Sequence, residues 1–427
     1  MMFKCIKDKI RGFSREGLFH IFGSSVFAKI GGIVSSVIVV RNLPKAEYGS
    51  FVDADNLYAY LAIFIGLGFS TALVQYCSEK VSEDHKNALY RYSLRTGMLG
   101  NFLLLPMVLG LAAIKHFSGS PVSAGYLVMM AGLPFFAYAD QYLQIVLRVK
   151  LKNKDFSQAN MIYTMGHVGG NILFAWLWGV PGLVISQYLA HCAAALYSAY
   201  ILKKDGFFVD VAGCTHRLEP RTRKDVLSYS LLCAITNFAS TALVLLDVTC
   251  LGLVLSDSSV LADYKVAATI PSALAFVPKS LTTFFYPKML NAFGDGKKAG
   301  YSHVLQVAKI YALVDGAICL GMLVCAPLII WILYGNQYMN VVPIFQILTV
   351  NHLIYSVRNV TGNTILVLKK AKVNLMFSLI SGVLNIGLNL MLIPALGSAG
   401  AAYATLAVSC CIVAMNIVYL WRDYRKA

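Results

Sequence analysis

Two apolar stretches decide the fold: FLLLPMVLGLAAI at Phe102–Ile114 and TLAVSCCIVAMNIVYL at Thr405–Leu420. Helices that cross the hydrocarbon core of a bilayer need about 20 mostly apolar residues, and both stretches lie within segments of that length. A transmembrane β-barrel would instead show short segments in which apolar and polar residues alternate. The whole chain has 427 residues, of which 58% are hydrophobic and only 13% are charged. This composition excludes an ordinary soluble domain and predicts an all-α polytopic membrane protein.

The pattern of apolar segments predicts about twelve transmembrane helices joined by short connections. The predicted spans are 19–40, 57–77, 96–114, 122–147, 159–178, 181–202, 226–254, 264–287, 304–331, 341–367, 375–394 and 399–421. The first span is too long for a secretory signal and no small-residue cleavage site follows it, so we expect it to be retained. The longest connection, 203–225, is expected to be a cytoplasmic loop between an N-terminal six-helix lobe at 1–202 and a C-terminal one at 226–427.

An internal repeat supports the division into two lobes. Six residues of the first half recur at a constant offset of 218: Lys152, Lys154, Asn171, Gly179, Gly182 and Cys192 match Lys370, Lys372, Asn389, Gly397, Gly400 and Cys410. Because each half has an even number of spans, both halves cross the membrane in the same orientation. We therefore expect two lobes related by pseudo-twofold symmetry around a central cavity, an arrangement typical of transporters.

The net charge is +16, and the basic residues that produce it are concentrated in every second connection between the predicted spans. Of the 36 Lys and Arg residues, 28 lie in alternate connections, from the N-terminal stretch through Arg15 to the C-terminal stretch from Arg422. The positive-inside rule then places both termini of this multi-pass protein in the cytoplasm. The basic balance therefore reflects topology, and we expect no nucleic-acid partner.

Basic residues inside or at the edge of spans are the main functional signal, because a charge at the bilayer centre costs about 3 kcal/mol on insertion scales. Five are candidate substrate-binding residues: Lys29, Arg41, Lys265, Lys279 and Arg358. Arg41 and Lys265 lie near span ends, where a long side chain can instead snorkel to the interface. Lys279 follows Pro278, so we expect span eight to kink or break beside it.

Two acidic residues inside spans, Asp247 and Asp315, are candidates either for ion coupling or for salt bridges with the lysines. Asp140 lies near a basic loop and is interpreted as structural. The histidines and the ten cysteines show no metal-ligand spacing, so we predict no metal site and no cofactor. The sequence contains no enzyme signature among the common catalytic motifs and no nucleotide-binding loop, so we expect transport that is coupled to H⁺ or Na⁺ or runs downhill.

Several motifs give the chain a family resemblance. The turn Arg41–Gly49, RNLPKAEYG, resembles the R-x-L-x-x-x-x-Y-G turn of polysaccharide flippases. In the second half, four further runs resemble the corresponding family sequence: Tyr334–Tyr338, Leu366–Lys372, Leu384–Pro394 and Gly397–Ala402. The chain is similar over essentially its whole length to the Wzx-type O-antigen flippases of the multidrug/oligosaccharidyl-lipid/polysaccharide (MOP) exporter superfamily.

This resemblance implies a protein of the bacterial inner membrane with twelve helices in two lobes. It implies alternating access that moves an undecaprenyl-diphosphate-linked oligosaccharide, as used for lipopolysaccharide, from the cytoplasmic to the outer leaflet. The implied partners are the polyprenyl-diphosphate-linked glycan, membrane lipids and the polysaccharide polymerase machinery. Coupling to H⁺ or Na⁺ is also implied, with Asp247 or Asp315 as the candidates. Cationic side chains in a cavity suit a diphosphate, since they supply both charge and donors.

Three other interpretations remain. A multidrug or cation antiporter of the same superfamily is the nearest, but cationic drugs favour an acidic or aromatic cavity, and the in-span charges here are mainly basic. A membrane polysaccharide polymerase or glycosyltransferase needs catalytic groups at an aqueous face, usually on a sizeable loop, whereas the outward connections are short. A purely structural scaffold would not require lysines within its spans.

Overall fold

The computed structural model describes residues 18–78, 81–255 and 257–425, and all regular structure in these ranges is helical. The helices are α1 (Leu18–Asn42), α2 (Lys45–Ala62), α3 (Phe69–Ser78), α4 (Glu83–Phe117), α5 (Pro121–Met130), α6 (Leu133–Val149), α7 (Asn153–Trp178), α8 (Val180–Lys204), α9 (Phe207–Gly213), α10 (Pro220–Val254), α11 (Ser259–Ala273), α12 (Phe276–Gly294), α13 (Lys297–Val324), α14 (Ala326–Tyr334), α15 (Val342–Val367), α16 (Ala371–Leu396) and α17 (Ser398–Arg425). Two short 3₁₀ turns, Ile65–Gly68 and Asn336–Val341, complete the regular structure of the described chain. The prediction of an all-α protein is confirmed.

The helices account for all twelve predicted spans. By length and composition, eight helical segments of the described chain can cross a membrane, and a ninth span results if α2 and Ile65–Cys77, bent by 43°, are taken together. The three remaining predicted spans coincide with α1, α7 and α10, which have 25, 26 and 35 residues. Helices of this length reach across a hydrocarbon core of about 30 Å.

The chain forms two compact units, Met1–Ala242 and Leu243–Ala427. The division falls inside the continuous helix α10. The stretch 203–225, predicted as the connection between the lobes, therefore lies in the first unit and contains α9.

The stretch 203–225 is mostly exposed, but a few of its residues anchor it to the first unit. Its side chains Cys214 and Leu218 are buried in the same apolar core as Leu89. The guanidinium of Arg91 donates a hydrogen bond of 2.7 Å to the Cys214 carbonyl. Apolar residues at these two positions, together with one arginine on α4, hold the backbone of this segment in place.

The second span of the first unit is broken at a glycine. Between α2 and α3 the chain passes through Gly66, whose φ is 60°. A Cβ at this position would lie 2.0 Å from the ring of Tyr138, so both the backbone angle and the space require glycine. The Gly66 N–H, which the break removes from helical bonding, donates to the side-chain oxygen of Asn101 at 2.9 Å.

The second span of the second unit is broken at a proline. Helix α11 ends at Ala273 and α12 begins at Phe276. Pro278 has no N–H to donate to the Leu274 carbonyl, which accepts instead from the N–H of Val277 at 2.9 Å. Span eight is therefore interrupted at Leu274 and Ala275, as predicted. The backbone stays in the helical region at both residues, and Ser259–Lys279 still forms one candidate span, so the interruption is milder than the 43° break in the first unit.

The sequence repeat is visible in the backbone. Gly179, between α7 and α8, has φ 66° and ψ −141°, and Gly397, between α16 and α17, has φ 57° and ψ −135°. Leu151 and Lys369, which precede α7 and α16, have φ values of 58° and 59°. Both pairs of residues are separated by the predicted offset of 218.

Two close helix contacts repeat at the same offset. A Cβ on Gly182 would lie 2.0 Å from the Phe174 carbonyl oxygen, and a Cβ on Gly400 would lie 2.4 Å from the Leu392 carbonyl oxygen. Only glycine permits this approach of the two backbones. The same helix–turn–helix is therefore built twice, which confirms the internal repeat.

Candidate functional site

A buried carboxylate in the second unit is surrounded by neutral donors. Asp247 of α10 is only 7% exposed. Its Oδ2 accepts from the Tyr264 hydroxyl at 2.5 Å and from the Thr405 hydroxyl. Its Oδ1 accepts from the side-chain amides of Asn385 at 3.1 Å and Asn389 at 2.9 Å. We call these five residues the Asp247 cage.

Four helices of the second unit supply the cage. Asn385 and Asn389 are four residues apart on α16, a spacing that places both amides on one face of the helix. Tyr264 comes from the first turns of α11, and Thr405 from the second turn of α17. The Asn389 amide also donates to the Asn385 side-chain oxygen at 2.9 Å, so the two amides are held together.

The cage has the chemistry of a site for a small monovalent cation. Asp247 forms no ion pair with a basic side chain among the described residues, so its charge is stabilised by neutral groups alone. The Asn389 Oδ1 is buried and has no hydrogen-bond partner among the described residues. Rotating an asparagine amide by half a turn exchanges its donor for an acceptor, which would turn oxygen towards a bound ion. Carboxylate, amide and hydroxyl oxygens suit a hard cation, and one negative charge balances one positive charge.

The other predicted acidic candidate belongs to a separate cluster. Asp315 of α13 is fully buried, and its Oδ2 accepts from the hydroxyl of Ser356 on α15. Its Oδ1 lies 3.9 Å from Nε2 of His352, also on α15. Neither predicted carboxylate contacts a lysine within ion-pair distance in the described part of the chain.

The basic candidates are divided between the two units. Lys29 and Arg41 are exposed on α1, Lys265 is half-buried on α11, Lys279 is exposed on α12, and Arg358 is half-buried on α15. Helix α15 packs against both α11 and α12, so the three basic residues of the second unit lie on contacting helices. Within the described residues, no carboxylate lies within ion-pair distance of Lys29, Lys265 or Arg358.

Sequence reasoning named Asp247 but not the residues that surround it. The available signal was the pair Asn385 and Asn389, two amides one turn apart in an apolar span. It also missed a buried ion pair in the first unit, where the Lys115 ammonium lies 2.9 Å from the carboxylate of Asp53. Asp140, interpreted as structural, accepts from Gln144 at 2.7 Å and lies 3.0 Å from Nδ1 of His191.

These features define a class of protein. The chain is a multi-pass membrane protein made of two repeated halves, each with an interrupted second span. It buries carboxylates, and in the described part of the chain Lys29, Lys265 and Arg358 lie within spans with no carboxylate in ion-pair range. Residues 14–292, about two thirds of the chain, match the family described as polysaccharide biosynthesis protein. The chain belongs to that family.

Relatives and solved structures agree on the architecture. Uncharacterized membrane protein MJ1068 of Methanocaldococcus jannaschii is 21% identical over 409 residues, covering 91% of this chain and 80% of the relative. An inward-facing multidrug resistance MATE family transporter of the MOP superfamily superposes with a TM-score of 0.75 at 15% identity, over 93% of this chain and 95% of that structure. Lipid II flippase MurJ in an inward closed conformation gives a TM-score of 0.70 at 15% identity, over 95% and 89%. The chain therefore has the MOP-superfamily fold that its motifs implied.

Proposed function

We propose that this protein moves a polyprenyl-diphosphate-linked oligosaccharide from the cytoplasmic to the outer leaflet of the cell membrane by alternating access. In a bacterial cell this membrane is the inner membrane and the lipid is undecaprenyl diphosphate. The family assignment supports a role in making surface polysaccharide. One of the proteins that share the fold is a flippase for a lipid-linked substrate.

The observation that carries this proposal is that no carboxylate of the described residues lies in ion-pair range of Lys29, Lys265 or Arg358. Lys29 and Arg358 lie well inside long helices, and Lys265 lies two turns into α11. A fixed positive charge at membrane depth is costly unless an anion or water reaches it. A diphosphate carries the matching charge, and its oxygens accept charge-assisted hydrogen bonds from ammonium and guanidinium groups.

We further propose that a monovalent cation at the Asp247 cage is coupled to translocation. Either Na⁺ or a proton can neutralise Asp247, and neutralisation weakens the pull of the carboxylate on its donors, Asn385 and Asn389 among them. Because the cage joins four helices, its occupancy changes the contacts among all four. A ligand shifts a conformational equilibrium only if it binds the two states differently, and a site assembled from separate helices meets this condition.

Cells that lack the protein test the proposed function directly. We expect them to lose surface polysaccharide and to accumulate the lipid-linked repeat unit on the cytoplasmic side of the membrane, and the intact gene should restore export. In purified vesicles, a fluorescent polyprenyl-diphosphate glycan should become accessible to a membrane-impermeant reagent only when the protein is present. Unchanged surface glycan together with altered sensitivity to cationic drugs would instead identify a multidrug exporter.

A further inference from the structure

Two ionisable side chains of the second unit face each other with no other partner for the facing atoms. Asp315 is fully buried and His352 is 4% exposed. The Asp315 Oδ1 and the His352 Nε2 are 3.9 Å apart, and each lacks a hydrogen-bond partner in the described structure. This separation is within ion-pair range but too long for a hydrogen bond, and a movement of about 1 Å would close it.

A second His–Asp pair, in the first unit, has its facing atoms closer together than Asp315 and His352. His191 Nδ1 and Asp140 Oδ2 are 3.0 Å apart, so that pair is already hydrogen-bonded. The Asp315 carboxylate has one donor, Ser356, for two buried oxygens. Asp315 and His352, which we call the open pair, can therefore form one additional hydrogen bond, between Oδ1 and Nε2. That bond needs a proton on one of these two atoms.

The groups around the open pair supply no competing charge. On α13, Tyr311 and Cys319 lie one turn either side of Asp315 and interact with it electrostatically. From α12, the Pro278 carbonyl and the Thr282 hydroxyl both contact the Tyr311 hydroxyl. From α15, the Thr349 carbonyl accepts from the Cys319 thiol.

The lysine and arginine side chains on the neighbouring helices do not pair with Asp315. Lys265 of α11, Lys279 of α12 and Arg358 of α15 are outside ion-pair range of Asp315. Helices α14 and α17 also pack on α13, and their described residues place no titratable group within hydrogen-bond or ion-pair range of Asp315 or His352. Tyr355, also on α15, stacks on the His352 ring with the ring centroids 6.3 Å apart. Among the described residues, His352 is therefore the basic side chain within ion-pair range of this carboxylate.

We propose that Asp315 and His352 together form a buried proton-binding site, distinct from the Asp247 cage. When loaded, the pair is an imidazolium and a carboxylate joined by a hydrogen bond from Nε2 to Oδ1. When empty, it is a neutral imidazole beside the carboxylate. The proton comes from water and returns to water, and no other bond is made or broken. Because α13 carries Asp315 and α15 carries His352, loading draws these two helices together.

Infrared difference spectroscopy on the full chain in lipid nanodiscs tests this site without any transport assay. Spectra recorded from about pH 5 to about pH 9, the range in which imidazole titrates, follow the buried carboxyl group and isotope-labelled histidine rings. We expect one carboxylate signal and one imidazole signal to change together, because the vibration of the Asp315 carboxylate responds when the facing imidazole gains or loses its proton. Asp315→Asn should remove the carboxyl signal and His352→Gln the imidazole signal. Asp315→Asn should also lower the imidazole midpoint by about one pH unit or more, because the imidazolium loses the facing negative charge. In His352→Gln the carboxylate signal should no longer change over this pH range.

A matched control is His303→Gln, which removes a different histidine, located on the helix that carries Asp315. This variant should leave the midpoint of both signals unchanged. If Asp315→Asn fails to fold, His352→Gln alone decides the question, since the carboxyl signal can still be followed. Carboxyl and imidazole signals that ignore each other's substitution, or no titration in wild type, would overturn the proposal.

The consequence for transport rests on the proposed function and is measured separately. In vesicles that translocate the glycan, His352→Gln should flatten the pH profile of the rate while the dependence on Na⁺ remains. Vesicles that never translocate the glycan would disprove the proposed function and leave the infrared result standing. A pH profile equal to wild type in His352→Gln vesicles would show that the proton is not used for transport.

Discussion

At the scale of single residues, the Asp247 cage links sequence to chemistry most closely. One carboxylate takes hydrogen bonds from two amides and two hydroxyls, and all four donors are neutral. These hydrogen bonds stabilise the buried carboxylate, but neutral donors leave its negative charge in place. A cation that enters the cage therefore meets a negative charge that no basic side chain of the described residues neutralises, and rotation of the amides would turn their oxygens towards it.

Replacing Asp247 by Asn tests the cation site, because the change removes the charge and nearly keeps the volume. Wild type should be stabilised by NaCl relative to choline chloride at equal ionic strength, by about 2.7 kcal/mol when Na⁺ is a hundredfold above its dissociation constant. The variant should lose this stabilisation, which thermal unfolding in detergent measures. Asp295→Asn, at an exposed position of the same unit, is the control. Equal stabilisation by NaCl in Asp247→Asn and wild type would exclude Na⁺ as the ligand of the cage.

Lys29→Ala and Lys279→Ala should each slow glycan translocation by about tenfold, because a hydrogen bond to a charged group contributes about 1.5 kcal/mol or more. Neither change removes a span, so both variants should insert at wild-type levels. Quantitative export assays, normalised to protein in the membrane, give the rates. Lys298→Ala removes an exposed lysine at the start of α13 and should export normally. Normal export by the Lys29→Ala, Lys279→Ala double variant would disprove the assignment.

At the scale of helices, the broken second spans are the feature that most shapes each unit. In the first unit the break depends on Gly66, because Tyr138 fills the space that a side chain would need. Gly66→Ala should lower the free energy of unfolding by at least about 2 kcal/mol, through strain at positive φ and a clash in a packed core. Gly110→Ala is the matched control. It lies in α4 with open space around it, and it should be neutral or stabilising by up to about 1 kcal/mol in thermal unfolding.

The buried ion pair between Asp53 and Lys115 ties α2 to the last turn of α4. Removing either partner, by Asp53→Asn or Lys115→Met, leaves the other charge buried and should cost about 3 kcal/mol or more. The double variant leaves no unpaired charge, so it should be more stable than either single variant. A double-mutant cycle from chemical or thermal unfolding measures this coupling. Single losses that simply add would show that the two charges do not depend on each other.

The positions of the helices could be predicted from the sequence more completely than the breaks in them or the members of the Asp247 cage. Long apolar runs fix the spans because the bilayer allows few alternatives. Pro278 predicted the interruption of span eight, because proline has no N–H to donate to a helical hydrogen bond. The break at Gly66 was missed, because glycine is common in membrane helices and its need for positive φ shows only in three dimensions. The Asp247 cage could be predicted only at Asp247, because its other members come from three further helices that tertiary packing brings together.

At the scale of the whole molecule, topology follows from the distribution of basic residues. We expect both termini in the cytoplasm, since 28 of 36 Lys and Arg residues lie in alternate connections on one side. Reporters that are active on only one side of the membrane, fused at the C-terminus, give the orientation. A fusion in the predicted cytoplasmic connection 203–225 should agree with the C-terminal fusion. A fusion at Ser118, in a predicted outward connection, should give the opposite result.

The paired turns at Gly179 and Gly397 carry an evolutionary meaning. We infer that a gene for a six-helix ancestor was duplicated and fused, and that both copies kept the backbone geometry on which their folding depends. Their side chains then diverged. Asn389 bonds to a carboxylate, whereas Asn171 bonds to the Ser186 hydroxyl and lies 3.4 Å from His167.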